Sequence, residues 1–333
     1  MTPRTCVRCL AAFAILAATR EVSAVTLGIE GTRFVVDGRP AFLLGFSYYG
    51  ACGAPSESIA RDLDDLRAAG FNWFRVWATW ESYGSDVSAA DARGAPREPY
   101  LQRLKDLLAA ADRRGMIVDV TLSRGEGLPD QPAHLAAVAT LVQELRPWRN
   151  WYLDLANERN IRDRRHVSYE ELRELVGRAK QLDPQRLLTA SHGGDLTRDD
   201  VEQYLRAAGV DFLAPHRPRQ PDSPGQTAAK AREALGWARD CGRAGPVHDQ
   251  EPFRRDYGAW QPTAADFLAD LRGAVAGGAA GWCFHNGSPG GPYQDRDRPR
   301  RSFDLRAEYG RLMDQLDPEE QEVVRRARDC LVP

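Results

Sequence analysis

The stretch Tyr100–Leu122, YLQRLKDLLAAADRRGMIVDVTL, reads as a helix from Tyr100 to Arg114, closed by Gly115, running into a strand from Ile117 to Leu122. Glycine suits the left-handed turn that ends a helix. The strand that follows shows no clean polar alternation, as expected of a parallel strand buried on both faces. Working outward, the same unit recurs with a period near the ~30 residues of a βα repeat. Upstream, a strand from Phe42 to Tyr49 leads to a helix from Glu57 to Ala69, where Ile59, Leu63 and Leu66 share one face, and then to a strand from Asn72 to Trp77. Downstream come a helix from Pro132 to Leu145, a strand from Trp151 to Ala156, and a helix from Ser168 to Leu182 that opens on a Ser-x-x-Glu capping box. Strands follow at Arg186–Ala190, Val210–Ala214, Val247–Gln250 and Gly281–Phe284, with helices over Thr227–Cys241 and Thr263–Ala276.

Eight buried strands interleaved with helices specify an α/β fold, and eight is the number that closes a (β/α)8 TIM barrel. An open doubly wound sheet would call for a Gly-x-Gly-x-x-Gly loop after an early strand, and none is present. Phe34–Phe42 reads as an N-terminal β-hairpin turning at Asp37-Gly38, and a last helix from Pro318 to Cys330 packs as an extra element outside the barrel.

Arg4 and Arg8 precede the apolar run Cys9–Ala18, and Val22-Ser23-Ala24 has the small-residue pattern of a cleavage site. The run is short for a membrane span. Residues 1–24 are therefore expected to be a signal peptide, and 25–333 one exported catalytic domain, secreted or periplasmic, with no stable membrane insertion. Of six cysteines, Cys52, Cys241, Cys283 and Cys330 would stay in the mature chain, open to three disulfide pairings. A net charge of −2 gives no reason to expect nucleic acid as a partner. Nothing in the sequence specifies an oligomeric state.

Active sites of such barrels lie at the C-terminal ends of the strands. The polar residues there are Ser47, Tyr48 and Tyr49; Arg75; Ser123 and Arg124; Asn157, Glu158 and Arg159; His192; His216; Asp249, Gln250 and Glu251; and His285 and Asn286, with tryptophans at 77, 80 and 282. Glu158 and Glu251 end strands four and seven, facing each other across a closed ring. Cleaving a glycosidic bond needs such a pair, one carboxylic acid to protonate the leaving oxygen and one carboxylate to attack the anomeric carbon. Either glutamate alone would read as a strand-end ion pair, with Arg75 or Arg159.

With FVVDGRPAFLLG at 34–45, GFNWFRVW at 70–77 and LDLANE at 153–158, the chain resembles the cellulase- and mannanase-like enzymes of glycoside hydrolase family 5. The resemblance spans nearly all of the mature chain. It implies a retaining glycosidase with Glu158 as acid/base and Glu251 as nucleophile. It also implies Asn157 on the neighbouring sugar hydroxyl, Arg75 keeping Glu251 ionised, and His216 and Tyr48 lining the cleft. Trp282 would be the stacking floor for a pyranose ring. The substrate partner would be a carbohydrate, with no cofactor. The chain departs from the family pattern in having Arg159 after the strand-four glutamate, Pro218 two residues beyond His216, and no histidine after strand three. These departures motivate an alternative, a non-catalytic barrel that binds carbohydrate or protein. A metal-dependent hydrolase lacks His-x-His on the first strand and a strand-four lysine, so no metal is expected.

Overall fold

The computed structural model of the protein describes residues 24–125, 127–255, 257, 259–287 and 302–331. The expected signal peptide therefore lies outside the described residues, apart from Ala24.

The barrel strands are β1 (Leu43–Ser47), β2 (Trp73–Trp77), β3 (Ile117–Thr121), β4 (Trp151–Asp154), β5 (Leu188–Thr189), β6 (Ala214–His216), β7 (His248–Asp249) and β8 (Gly281–Phe284). Seven are hydrogen-bonded in the order β5-β4-β3-β2-β1-β8-β7, every pair parallel. Beyond β5 the run Ser191–Gly193 pairs in parallel with β6, and a parallel bridge from Leu213 to Val247 joins β6 to β7. The ring is closed, and the chain is a (β/α)8 barrel. Among the described residues no helix is long and apolar enough to cross a membrane.

The outer layer comprises α1 (Ser56–Ala68), α2 (Tyr100–Asp112), α3 (Gln131–Glu144), α4 (Tyr169–Leu182), α5 (Arg198–Glu202), α6 (Ser223–Asp240), α7 (Ala264–Gly277) and α8 (Pro318–Arg326). The α4 capping box is present, with Ser168 accepting from the Glu171 N–H. One unforeseen element is α5, opened by a Thr197/Asp200 capping box and continued by a wide π turn over Gln203–Ala208. That wider winding breaks the 3.6-residue period on which a helix is recognised. The C-terminal helix α8 packs on the outside of the barrel, as expected, and lies against α7.

The hairpin is three-stranded, because Leu27–Glu30 adds to Arg33–Val36 and Arg39–Ala41. Asp37 and Gly38 both have positive φ (51° and 71°), the conformation of a two-residue hairpin turn. This sheet plugs the foot of the barrel. Phe34 is fully buried, edge-on to Phe212 at 5.0 Å, above an interior layer of Leu43, Trp73, Ile117 and Tyr152. Each such side chain contributes about 1.5–3 kcal/mol by leaving water. Gly45 sits opposite Trp73 in the β1–β2 register, and a Cβ there would lie 1.7 Å from the indole, so glycine makes room for the layer.

Cys52, Cys241, Cys283 and Cys330 are all free thiols, so the structure contains none of the three disulfide pairings.

Candidate active site

Above the apolar plug the inward-facing residues turn polar. Arg75, fully buried on β2, is the hub. Its Nη1 lies 2.6 Å from Glu251 Oε2, its Nη2 lies 2.8 Å from Asp154 Oδ2 and 2.9 Å from Asn157 Oδ1, and its Nε donates to Thr121 Oγ1 at 2.9 Å. Asp119 stands 3.3 Å from the same Nε. Glu251 Oε2 also accepts from the Tyr49 hydroxyl at 2.6 Å.

Glu158 takes a left-handed backbone conformation (φ 45°), which for a non-glycine residue costs about 1–2 kcal/mol. Its N–H is held by Ser191 Oγ at 3.0 Å, across from β5. The strain swings its carboxyl over the mouth of the barrel. There Oε1 meets His216 Nδ1 at 3.3 Å and Oε2 meets Arg165 Nη1 at 2.6 Å. One carboxylate oxygen from each glutamate and a His216 ring nitrogen all lie within 4.8 Å of one another.

A hydrogen-bond relay fixes the orientation of His216. Gln250 Nε2 donates to Asp119, so Gln250 Oε1 is left to accept from His216 Nε2 at 3.1 Å. Nδ1 then faces Glu158 as the atom that must carry a second proton or receive one from that carboxyl. His216 Nδ1 and Glu158 Oε1 thus form a hydrogen-bonded pair at the mouth of the barrel.

For Glu251, burial is the largest effect and would raise its pKa, but His285, His216, Arg219 and Arg75 together hold it well below the usual carboxylate range. For Glu158, burial again pushes upward, and the neighbouring Glu251 charge adds to it. The hydrogen bond and charge of His216, with Arg219, outweigh both and lower it. The spacing of Glu158, His216 and Glu251 could bridge a metal ion. However, Arg75 and Arg219 on Glu251 (2.6 and 2.5 Å) and Arg165 on Glu158 (2.6 Å) already supply positive charge there, which would repel a dication.

Two expected positions need correction. Trp282 is fully buried, with Nε1 donating to Asp270 Oδ2 at 2.6 Å, so its ring faces α7 rather than the cleft. Tyr48 is likewise buried outward, its hydroxyl 2.9 Å from Asp62 on α1. Side chains alternate along a strand, and each expectation was out of phase. The residues that do face inward are Tyr49, one place on from Tyr48, and His285, three places on from Trp282 and 3.8 Å from Glu251 Oε1. His192 is structural, its Nδ1 3.2 Å from the Tyr204 hydroxyl. Arg159 packs 3.7 Å from the Tyr169 ring centre and pairs with neither glutamate. The residues that sequence reasoning missed are Arg165, Arg219, Asp119 and Asp154. Arg219 stands three places after His216, in a loop with no periodicity to assign its side chain.

Beside the pair lies a cleft of about 850 Å³ lined by Trp77, Trp80, Tyr83, Arg124 and Arg165. Tyr49, Trp77 and Trp80 pack with ring centres 5.1–5.4 Å apart. The aromatic wall of this mouth is therefore built from β2 and its loop rather than from β8.

No protein-family model matches the chain, and no curated protein matches it. Solved structures do match. A family 5 glycoside hydrolase from Bacteroides vulgatus superposes with a TM-score of 0.67 at 14% identity, covering 92% of this chain and 71% of its own. A family 5 mannosidase from Rhizomucor miehei gives 0.65 at 15% identity, covering 93% and 98%. An endo-1,4-beta-mannanase from the same fungus gives 0.65 at 14%, covering 92% and 99%. The chain has the barrel fold of family 5 glycoside hydrolases.

Proposed function

We propose that the protein is a retaining glycoside hydrolase that cleaves β-glycosidic bonds of an oligo- or polysaccharide by double displacement. The observation that carries this reading is the Glu158–Glu251 pair. The carboxylates come from the ends of β4 and β7, and one oxygen of each lies within 4.8 Å of the other, the close placement that a retaining pair needs.

Glu251 is the nucleophile. Arg75 and Tyr49 hold Oε2 ionised and aimed, so that the carboxylate attacks the anomeric carbon as the glycosidic C–O bond breaks. Glu158, hydrogen-bonded to His216, acts in its protonated form and gives that proton to the departing oxygen. In the second step Glu158 takes a proton from water. The oxygen of that water attacks the anomeric carbon and expels Glu251 as a carboxylate. Asn157, anchored through Oδ1 to Arg75, has Nδ2 without an acceptor among the described residues, and this is the atom left for a sugar hydroxyl. Trp77 and Trp80 supply the apolar ring faces on which pyranoses stack.

The test is digestion of a panel of β-glycans, beta-mannan first because structural relatives bear the names mannosidase and mannanase. Wild type, Glu158→Gln and Glu251→Ala are run side by side. Cleavage by wild type that is lost in both variants upholds the reading. Binding without cleavage by wild type would favour the non-catalytic barrel, for which the arginines seated on both carboxylates are the supporting observation.

A further inference from the structure

More positive charge surrounds Glu251 than one carboxylate needs. Arg75 already pairs with it from below at 2.6 Å. Arg219, its side chain 16% exposed, places Nη2 2.5 Å from Glu251 Oε1 and 3.9 Å from Glu158 Oε1, so its guanidinium lies between the two carboxylates. Arg254, three residues beyond Glu251, has no carboxylate partner among the described residues. Its Nη1 reaches only His285 Nε2 at 3.4 Å, and its Nε is buried without an acceptor. Arg219 and Arg254 stand over the same ring, that of the partly exposed Tyr257, at 4.1 and 5.2 Å.

A guanidinium with a buried, unpaired Nε and no anion is unfavourable, and the neighbouring charge of Arg219 makes it more so. Burial and the repulsion of Arg219 push the Arg254 guanidinium down to about 10. Among natural glycans, the groups that would relieve this are the carboxylate of a uronic acid and a sulfate ester. Either matches the planar donor fork of arginine in a bidentate contact.

We infer that Arg219 and Arg254 form a receptor for an anionic group on the sugar at the cleavage point, so that the substrate is an acidic glycan. This rests on the hydrolase reading above and names its substrate class. It also gives the position of Arg219 a role. As the structure stands, Arg219 occupies the space between Glu158 and Glu251 that the reacting carbon must enter, and it holds an oxygen lone pair of the nucleophile. A substrate carboxylate or sulfate draws Arg219 toward Arg254 and frees Glu251 Oε1. A neutral sugar offers nothing to hold Arg219 away.

The test uses the full chain carrying Glu158→Gln, so that ligands are bound without turnover. Calorimetry compares three oligosaccharides of one backbone: a β-linked uronide, its carboxyl-reduced neutral counterpart, and the sulfated form of that counterpart. The expected result is that an acidic member binds about tenfold or more tightly than the neutral one, the scale of one charge-assisted contact. The preference should weaken as salt is raised. Adding Arg254→Gln should bring the ratio toward one, with Arg254→Lys intermediate and melting curves confirming that both fold. Which acidic member binds distinguishes carboxylate from sulfate. Equal affinity for all three overturns the inference. Should wild type then cleave the neutral member, the hydrolase reading stands without it. An acidic glycan that is bound by the variant but never cleaved by wild type upholds the receptor and overturns the hydrolase reading.

Discussion

Arg75 and Glu251, 176 residues apart in the chain, meet inside the barrel with Nη1 2.6 Å from Oε2. Arg75 is fully buried and also serves Asp154 and Asp119, so one guanidinium balances three carboxylates. Removing it leaves Asp154 and Asp119 buried without a cation, a change worth about 3–5 kcal/mol. Arg75→Ala should therefore lower the melting temperature by many degrees and abolish activity. Arg75→Lys, which cannot fork, should recover part of the stability but little of the activity. Chemical denaturation alongside initial rates checks both. A stable and active Arg75→Ala protein would contradict this account of the hub.

The pH profile should follow Glu158. In the proposed role its carboxyl must be protonated to help the leaving group depart, so the rate is expected to fall as pH rises through its pKa. His216 and Arg219 depress that pKa against the upward push of burial, placing the optimum on the acid side. Arg165, 2.6 Å from Oε2, is a further cation on the same group. Arg165→Gln should raise the pKa and move the basic limb of kcat/KM to higher pH. An unmoved limb would show that Arg165 does not act on the acid.

Asp249 gives a pH dependence of stability unrelated to catalysis. Burial first, then the neighbouring Asp270, push its carboxyl up to about 7, and one of its oxygens has no hydrogen-bond partner. A carboxyl raised in the folded state contributes stability that is full below its unfolded value near 4 and is lost as pH rises through about 7. Asp249→Asn imitates the protonated form. It should raise the melting temperature by several degrees at pH 8.5, by less at pH 5, and leave it nearly unchanged at pH 3.5. A uniform shift at all three pH values would contradict the assignment.

The tryptophans separate structural from cleft roles. Trp282→Phe removes a buried hydrogen bond to Asp270, which should cost about 1–3 kcal/mol of stability with KM unaltered. Trp77→Ala, on the cleft wall, should raise KM severalfold. Steady-state kinetics and thermal melts of the two variants distinguish the cases.

The barrel was legible because helix punctuation and buried apolar runs repeat, as in Tyr100–Leu122, and because Glu158 and Glu251 fall at the strand ends that such a fold brings together. What was not legible was phase. A strand buried on both faces shows no alternation, so Tyr48 could not be told from Tyr49, nor Trp282 from His285. Asp119 and Asp154 are hidden for the same reason, as polar residues inside strands that read as core. Arg165 and Arg219 reach the glutamates from loops, where no periodicity assigns a direction. Pro218 was noted as a departure from the pattern the chain resembles, and Arg219, one residue on, is what stands against Glu251.

The central claim is that Glu158 and Glu251 act as a retaining pair, and product stereochemistry during hydrolysis tests it most directly. Proton NMR of a β-glycan digest should show the β-anomer of the new reducing end first, followed by slow mutarotation. Glu251→Ala should reduce the rate by about 10⁴-fold or more, the scale on which removal of a catalytic group acts. Initial release of the α-anomer, or an Glu251→Ala protein that retains wild-type turnover, would contradict it.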